Sequence, residues 1–246
     1  MTNQTTTTPT AILLYIPNLI GYLRILCTLT SLFLMICHPT HYWTAAALYV
    51  SSFVGDLFDG MAARKFHQCS TFGGLMDMVT DRCATTGLLC VLIQQWAHRS
   101  GYVLVSVVVG ERLFTLLIIL DISSHWCQMY STTSQNSHHK SAEGNRGRFF
   151  LVRWYYSSYP FFGYCCVGAE FTYVTIYILS SLHLYDLSDA EDDNSRGGWY
   201  SVVKTVGEYF LFVLVPACAV KQIVNVSQLC SSCYAVAERD AALKNQ

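Results

Sequence analysis

Charged residues are scarce in this chain of 246 residues, since Asp, Glu, Lys and Arg make up only 13% of it. The formal net charge is −1, so there is no polybasic surface of the kind that binds nucleic acid, and we expect no nucleic-acid partner. Proline is also rare, with five residues, and no basic segment precedes the first apolar run. No cleavable signal peptide is therefore evident. The chain also has no internal repeat at a fixed period.

Cysteine is present but does not form a recognisable framework. The 11 cysteines are odd in number and lie mostly inside apolar stretches, which argues against a set of disulfides in a secreted protein. Cys230 and Cys233 form a CxxC pair without a second pair. Packing or reversible acylation explains this pair better than zinc binding or redox chemistry.

Long apolar runs are what the sequence does contain, with 52% hydrophobic residues and a mean hydropathy of +0.33. A membrane-spanning helix needs about 20 mostly apolar residues, and the chain offers six such segments. They cover approximately residues 17–37, 42–64, 73–96, 102–130, 151–182 and 199–237. The fold class predicted is therefore an all-α integral membrane protein with six transmembrane helices.

The remaining segments complete the predicted organisation. Residues 1–10 are polar and predict a disordered leader, and the short apolar run 11–15 predicts an N-terminal interfacial helix. Residues 11–237 then form a single membrane domain, and residues 238–246 form a cytosolic tail. Most Lys and Arg fall on one side if both termini and the 65–72 and 131–150 loops are cytosolic, as the positive-inside rule favours.

Four carboxylates stand out against this apolar background. Asp56 and Asp59 lie near the end of the second predicted helix, and Asp77 and Asp81 lie near the start of the third. Residues three or four apart share a helix face, so two adjacent helices each present a carboxylate pair at the same membrane side. Four close acids repel one another unless cations compensate them. All-oxygen ligands suit Mg²⁺ or Mn²⁺, and two such ions could hold a substrate pyrophosphate.

The neighbouring residues fit a phosphate-containing substrate. Gly60, Ala63 and Gly73 are small and leave room for a nucleotide, although close helix packing would explain them equally well one at a time. Arg64 can hold a phosphate in a fork geometry. Asn18 and Arg24 are polar residues near one end of the first long helix, where anchoring at the interface and a functional role both stay open.

The pattern Asp56-x-x-Asp59-Gly-x-x-Ala-Arg, followed after eight residues by Gly-x-x-x-Asp77-x-x-x-Asp81, resembles the signature of the CDP-alcohol phosphotransferase family. The resemblance implies a six-helix membrane fold, a two-metal site, and transfer of a phosphoryl group from a CDP-linked substrate to an alcohol with release of CMP. It also implies that all four acids bind metal, that Asp81 is in addition the catalytic base, and that the protein is a homodimer. The CDP-linked substrate would contact the residues Asn18, Gly60, Ala63, Arg64 and Gly73.

A further likeness covers roughly residues 12–180 and includes the segments 16–24, 75–83, 120–126 and 153–160. Within the family it is similar to the eukaryotic members that use CDP-diacylglycerol as donor and myo-inositol as acceptor. This resemblance implies a multi-pass protein of the endoplasmic reticulum membrane, or else of the Golgi, with the active site facing the cytosol. The candidates for the acceptor pocket are Arg153, Lys140, His125 and Asp121, for which interfacial anchoring or pairing between helices is the alternative.

Other functions stay open at this point. The same motif serves acceptors such as glycerol phosphate, serine, choline or ethanolamine, and it does not separate them. Intramembrane acids also mark ion or proton transporters, but here the acids cluster at one membrane face and no inverted repeat is present. A purely structural scaffold leaves the four acids unexplained. Metal-dependent release of CMP distinguishes the transferase from both other classes.

Overall fold

The computed structural model of the chain describes residues 8–97, 104–133, 157–185 and 194–245. Helices and turns make up these ranges, and no strand occurs in them. The helices are α1 Pro9–Leu13, α2 Ile16–Cys37, α3 Tyr42–Lys65, α4 Thr71–Ala97, α5 Leu104–Thr133, α6 Tyr159–Tyr185 and α7 Asn194–Lys244, with a short 3-10 turn at Pro39–His41. The predicted all-α class is therefore confirmed for the described part of the chain.

Helix boundaries near the C-terminal end differ from the prediction. The fifth and sixth predicted segments leave residues 183–198 between them, but α6 continues to Tyr185 and α7 already begins at Asn194. Helix α7 also runs through the predicted tail as far as Lys244. Hydropathy marks where the apolar residues end. The end of α7 contains strong helix formers, four alanines together with Glu238, Arg239, Leu243 and Lys244, and these continue the helix beyond the apolar run.

The first helix, α1, is short and is held at both ends. The Thr8 side chain accepts a hydrogen bond from the backbone of Ala11 at 3.3 Å and so caps the helix. The helix therefore includes Pro9 and Thr10, which the sequence placed in the leader. At the other end, the Asn18 side-chain amide donates to the carbonyl of Ile12. Helix α1 is thus tied to the start of α2, and its interfacial position stays a prediction.

Helix α2 shows a membrane pattern, with small or polar residues buried and large apolar residues exposed. Its buried residues include Gly21, Arg24, Thr28 and Ser31. Its exposed residues include Leu19, Leu23, Leu26, Leu29, Phe33 and Ile36. A soluble protein would bury these large apolar residues. In lipid, small residues instead allow close helix contact while the apolar face meets acyl chains.

Three helical stretches of the described residues are long and apolar enough to cross a membrane. They are Ile16–Cys37, Pro160–Leu184 and Gly198–Lys244, with mean hydropathies of 2.0, 1.4 and 1.8. Helices α3, α4 and α5 have 24, 27 and 30 residues but are not among them. These three helices carry the motif acids and Asp121. The chain is therefore consistent with a membrane protein, and the count of six spans stays a prediction.

The described residues divide into two compact units, of which the first extends from the N-terminal end to Val91 and includes His183–Tyr185. In this unit α2 packs closely on α3. The Ser31 hydroxyl donates to the carbonyl of Ala45 at 2.7 Å, and the Thr28 and Ser52 hydroxyls lie 2.7 Å apart. These hydrogen bonds between helices replace the bulky apolar core that a soluble bundle would have.

The turn between α3 and α4 sets the relative position of the motif acids. The backbone N–H of Gln68 donates to the carbonyl of Ala63 at 2.9 Å, and the N–H of His67 donates to the carbonyl of Arg64 at 3.4 Å. This pair of bonds is a Schellman motif, and His67 takes the left-handed position with φ of 55°. The Gln68 side chain then accepts a hydrogen bond from the N–H of Ile16 at 2.9 Å. The turn is therefore fastened to the start of α2.

The second unit contains the described residues of 92–182 together with α7. Helices α6 and α7 approach closely at Gly168, where an added Cβ would overlap the Cβ of Ala217. Nearby, Cys165 and Val224 are buried and pack with Phe161. The Tyr164 hydroxyl donates to the carbonyl of Val213 at 3.2 Å. The predicted single domain over residues 11–237 stays a prediction.

Candidate functional site

The four motif acids converge within the first compact unit. Asp56 and Asp59 come from the last turns of α3, and Asp77 and Asp81 come from the first turns of α4. Oxygen atoms of Asp56, Asp59 and Asp77 all lie within 4.8 Å of one another. The predicted spacing of three and four residues thus places these carboxylates on facing sides of two helices. All four side chains are partly exposed, between 14% and 30%.

The guanidinium of Arg24 lies at the centre of this cluster and contacts all four carboxylates. Its Nη1 lies 2.5 Å from Asp59 Oδ2 and 3.1 Å from Asp77 Oδ1. Its Nη2 lies 2.6 Å from Asp81 Oδ1 and 3.1 Å from Asp56 Oδ1. Buried charges need such pairing, because desolvation of an isolated ion is very costly. Arg24 is therefore the counterion that the sequence left unidentified.

Residues of α3 fix the position of the Arg24 side chain. Its Nε donates to the carbonyl of Ser52 at 3.2 Å, and the Ser52 hydroxyl donates back to the carbonyl of Arg24 at 3.0 Å. At Gly55 an added Cβ would lie 2.8 Å from Arg24 Cγ, so only glycine leaves room for the stem. Arg24 is 3% exposed. Interfacial anchoring of Arg24 by snorkelling is therefore wrong.

The acids fit the predicted metal site by the chemistry of their donors. Asp56, Asp59 and Asp77 together offer only carboxylate oxygens, and Asp81 reaches the same guanidinium from one helical turn further along α4. Hard divalent cations such as Mg²⁺ and Mn²⁺ prefer this donor type. The same carboxylates contact Arg24, so any cation bound there shares them with a guanidinium.

Arg64 is exposed at the end of α3, and its guanidinium lies near Gly60. It lines an open groove of about 600 Å³ together with Lys65 and with apolar side chains of α2 and α3. The apolar lining includes Ile16, Ile20, Phe58, Met61 and Phe66. The groove thus places two basic side chains next to an apolar surface. Such a surface is complementary to a lipid with a phosphate headgroup.

The small motif residues differ in the space around them. An added Cβ at Gly60 would lie 3.7 Å from the Arg64 guanidinium, which is an ordinary contact, so packing within the protein does not require glycine there. At Gly73 the added Cβ would lie 3.0 Å from Asn18 Oδ1, which is tight. Asn18 itself is buried and donates to the carbonyl of Ile12. Ala63 is half-buried beside these residues on α3.

The predicted acceptor residues Asp121 and His125 lie together in the second compact unit. His125 Nδ1 lies 2.8 Å from the backbone carbonyl of Asp121 and 3.5 Å from its carboxylate. A carbonyl only accepts, so Nδ1 carries the proton and Nε2 is the acceptor. Lys221 Nζ lies 3.5 Å from that Nε2 and donates to Asn225 Oδ1 at 2.6 Å. Lys221 is a buried cation that sequence reasoning missed. The other two acceptor candidates, Lys140 and Arg153, lie outside the described residues.

Comparison with known proteins gives the family. The model of the CDP-alcohol phosphatidyltransferase family matches residues 14–142, which include all four motif acids. The chain belongs to this family. No solved structure matches the chain.

Relatives of this transferase family match most of the chain. The CDP-diacylglycerol–inositol 3-phosphatidyltransferase of Schizosaccharomyces pombe is 36% identical over 237 residues, covering 92% of this chain and 90% of the relative. The probable CDP-diacylglycerol–inositol 3-phosphatidyltransferase 2 of Arabidopsis thaliana is 35% identical over 225 residues, covering 89% and 88%. The human CDP-diacylglycerol–inositol 3-phosphatidyltransferase is 32% identical over 236 residues, covering 94% and 95%.

Proposed function

We propose that this chain transfers the phosphatidyl group of CDP-diacylglycerol to myo-inositol, giving phosphatidylinositol and CMP. The observation that carries the proposal is the convergence of Asp56, Asp59, Asp77 and Asp81 in one compact unit. The chain also belongs to a family of CDP-alcohol transferases, and the relatives reported above are named for the inositol reaction. The alternative within the family is another acceptor, such as glycerol phosphate, serine, choline or ethanolamine.

The four carboxylates would hold two divalent cations, Mg²⁺ or Mn²⁺. When bound, such cations neutralise the pyrophosphate of the donor and stabilise charge that develops during transfer. The protein contributes the arrangement of the acids on two helices whose connecting turn is fastened by Gln68. The ligands are thus fixed relative to each other before the donor arrives, which limits the reorganisation needed during the reaction.

Asp81 is proposed as the general base. Its carboxylate takes the proton of an inositol hydroxyl while that oxygen forms a bond to the β-phosphorus of the donor. The bond between this phosphorus and the bridging oxygen breaks, and CMP leaves with the electron pair. A carboxylate base must lie within about 2.6–3.2 Å of the hydroxyl oxygen, or one water away. Arg24 holds Asp81 Oδ1 at 2.6 Å and so fixes the orientation of this carboxylate.

The donor is proposed to bind along the groove lined by Arg64 and Lys65. The basic side chains would face its phosphates, and the apolar wall formed by residues such as Phe58 and Met61 would face an acyl chain. Gly60 supports this position, because nothing in the protein itself fills the space where its Cβ would lie. Ala63, Gly73 and Asn18 complete the proposed contacts of the donor.

Inositol has no charge, so hydrogen bonds must select it. We assign this role to His125 and Asp121, with Lys140 and Arg153 as the further candidates. A connected network of polar side chains supplies donors and acceptors held in fixed directions, which favours recognition of a polyol. Its members are Asp121, His125, Lys221 and Asn225. An acceptor with fewer matching hydroxyls would form fewer hydrogen bonds with these groups and bind less tightly.

The membrane arrangement proposed has six spans, with α3, α4 and α5 crossing the bilayer as well as the three apolar helices. The long polar end of α7 would then project from the cytosolic face, because a helix of 51 residues is longer than the bilayer is thick. This arrangement puts the carboxylate cluster on the cytosolic side of the endoplasmic reticulum, with the Golgi as the second location. The homodimer implied by the resemblance stays a prediction.

The proposal is tested by incubating the purified protein with CDP-diacylglycerol and Mn²⁺ or Mg²⁺, with one alcohol at a time. We expect release of CMP with myo-inositol and little release with glycerol phosphate, serine, choline or ethanolamine. CMP release with one of those alcohols but not with inositol would keep the family assignment and replace the acceptor. A transporter would release no CMP with any of them.

A further inference from the structure

Every nitrogen of the Arg24 guanidinium contacts a carboxylate or carbonyl oxygen. An arginine side chain has five N–H groups in a fixed planar fork. Nε donates to the carbonyl of Ser52, Nη1 faces Asp59 and Asp77, and Nη2 faces Asp81 and Asp56, all within 3.2 Å. A lysine has three donors on one point charge and could not reproduce these five contacts. The cluster is therefore shaped for a guanidinium.

The contacts of Arg24 involve the same carboxylates as the proposed metal site. Asp56, Asp59 and Asp77 form the group of oxygens close enough to share one ion, and each of them also contacts Arg24. A carboxylate oxygen that accepts from a guanidinium N–H is less available to a cation, and the guanidinium charge repels that cation. Arg24 and divalent cations therefore compete for the cluster.

We propose that Arg24 is a positioning residue that holds the four carboxylates together as an internal cation, and that divalent cations must displace it from part of the cluster in order to bind. This inference deepens the proposed function, because it rests on the proposed metal site. Arg24 then has two opposite effects. It stabilises the protein while no divalent cation is bound, and it weakens the affinity for the cations themselves. A merely structural arginine has only the first effect.

The competition predicts that removal of the Arg24 charge lowers the stability of the metal-free protein and raises its affinity for cations. Arg24→Met keeps an unbranched apolar stem in the space beside Gly55 but removes the charge and the donors. Chelator-treated Arg24→Met protein should unfold at a lower temperature than the wild type, because four acids then repel one another without a counterion. Its affinity for Mn²⁺ should nevertheless rise by at least about tenfold, since the competing cation is gone and all four acids remain to bind the ion. Arg24→Lys keeps a positive charge and should give an intermediate affinity.

The experiment uses the full-length purified protein and Mn²⁺ alone as the probe. Free Mn²⁺ is measured by electron paramagnetic resonance during titration, and the thermal unfolding midpoint is followed with and without saturating Mn²⁺. Arg82→Met is the matched control, because Arg82 Nη2 lies 3.7 Å from Asp81 Oδ2 at the edge of the same cluster. We expect the control to change Mn²⁺ affinity by less than about threefold. A cation that binds the folded protein more tightly also stabilises it more. The Mn²⁺-induced rise in the unfolding midpoint should therefore be largest for Arg24→Met.

Unchanged or weaker Mn²⁺ binding in folded Arg24→Met protein would overturn the inference. If Arg24→Met does not fold without Mn²⁺, Arg24→Lys carries the same test, and an affinity at or below that of the wild type overturns it. Neither measurement uses inositol or CMP release. Wild-type protein that binds Mn²⁺ but transfers nothing to inositol would overturn the proposed function and leave this inference standing. An active wild type with weaker Mn²⁺ binding in both variants would overturn this inference and leave the proposed function standing.

Discussion

Arg24 Nη2 donates a hydrogen bond to Asp81 Oδ1 at 2.6 Å and so connects the first long helix to the carboxylate proposed as catalytic base. Arg82 Nη2 lies 3.7 Å from the other oxygen, Asp81 Oδ2. The two oxygens of this carboxylate therefore have different surroundings. The oxygen held by Arg24 fixes the orientation of the carboxylate, and Oδ2 faces Arg82.

Replacing the proposed base should abolish transfer without unfolding the protein. Asp81→Asn keeps the shape of the side chain but cannot accept the inositol proton, and loss of a general base typically costs about 10²–10⁴ in rate. We expect a decrease of at least about a hundredfold in the initial rate of CMP release. Asp240→Asn, on the exposed end of α7, is the control with the same change of charge. Near-normal turnover by Asp81→Asn would remove Asp81 as the base.

Gly55 should be intolerant of a methyl group. An added Cβ would lie 2.8 Å from Arg24 Cγ and 3.3 Å from Cδ, so Gly55→Ala must shift the stem of Arg24. Overpacking of this kind costs about 1–3 kcal/mol, and we expect a lower unfolding midpoint. Gly74→Ala is the matched control, since nothing lies within 4 Å of its added Cβ, and alanine there should stabilise α4 by up to about 1 kcal/mol. Equal midpoints for the two variants would contradict this account of Gly55.

Gly60 should matter for the donor and not for the fold. Its added Cβ would make only an ordinary contact at 3.7 Å with Arg64. Gly60→Ala should therefore change the unfolding free energy by less than about 1 kcal/mol. We expect it to raise the KM for CDP-diacylglycerol by about tenfold, because the methyl group occupies space that we assign to the nucleotide. An unchanged KM would show that this space is not used by the donor.

His67 should be more stable as glycine. Its φ of 55° is in the left-handed region, which costs a residue with a Cβ about 1 kcal/mol relative to glycine. His67→Gly should raise the unfolding midpoint while keeping the two hydrogen bonds of the Schellman motif. His38→Gly is the control, because the φ of His38 is −134° and gains nothing from glycine. A lower midpoint for His67→Gly would mean that the imidazole itself contributes to the turn.

The acceptor assignment predicts a selective effect on inositol. His125→Gln should raise the KM for inositol by about tenfold, since the loss of a hydrogen bond in a fixed network weakens recognition of a hydroxyl. The KM for CDP-diacylglycerol should stay within about twofold of the wild type. Initial rates of CMP release at varied inositol and at varied donor separate the two constants. An equal rise in both would indicate that the network around Lys221 supports the fold and does not select the acceptor.

The helices of the motif could be predicted from the sequence because their signals are local. The run of apolar residues gives α3 and α4, and the spacing of Asp56, Asp59, Asp77 and Asp81 places the acids on one face of each helix. The eight specified residues of the signature and a short turn are enough for this. The geometry that followed, two carboxylate pairs facing each other, needed no further information.

Arg24 could not be assigned in the same way, because its partners lie 28 to 57 residues away in the chain. Lys221 and His125 are 96 residues apart. Contacts of this range leave no periodicity in the sequence. Their only signal is a lone charge in an apolar helix, which indicates that a partner exists without telling which residue it is.

The burial of Arg24 has a consequence for the assembly of the protein in its membrane. During synthesis α2 enters the bilayer before α3 and α4 exist, and an arginine within an apolar helix adds about 2.5–3.5 kcal/mol to the cost of insertion at its centre. Helix α2 still has a mean hydropathy of 2.0 in spite of this arginine. The guanidinium is then without its carboxylates until the next two helices arrive, so its charge draws α3 and α4 to α2. The ion pairs of the carboxylate cluster thus favour association of α2 with α3 and α4.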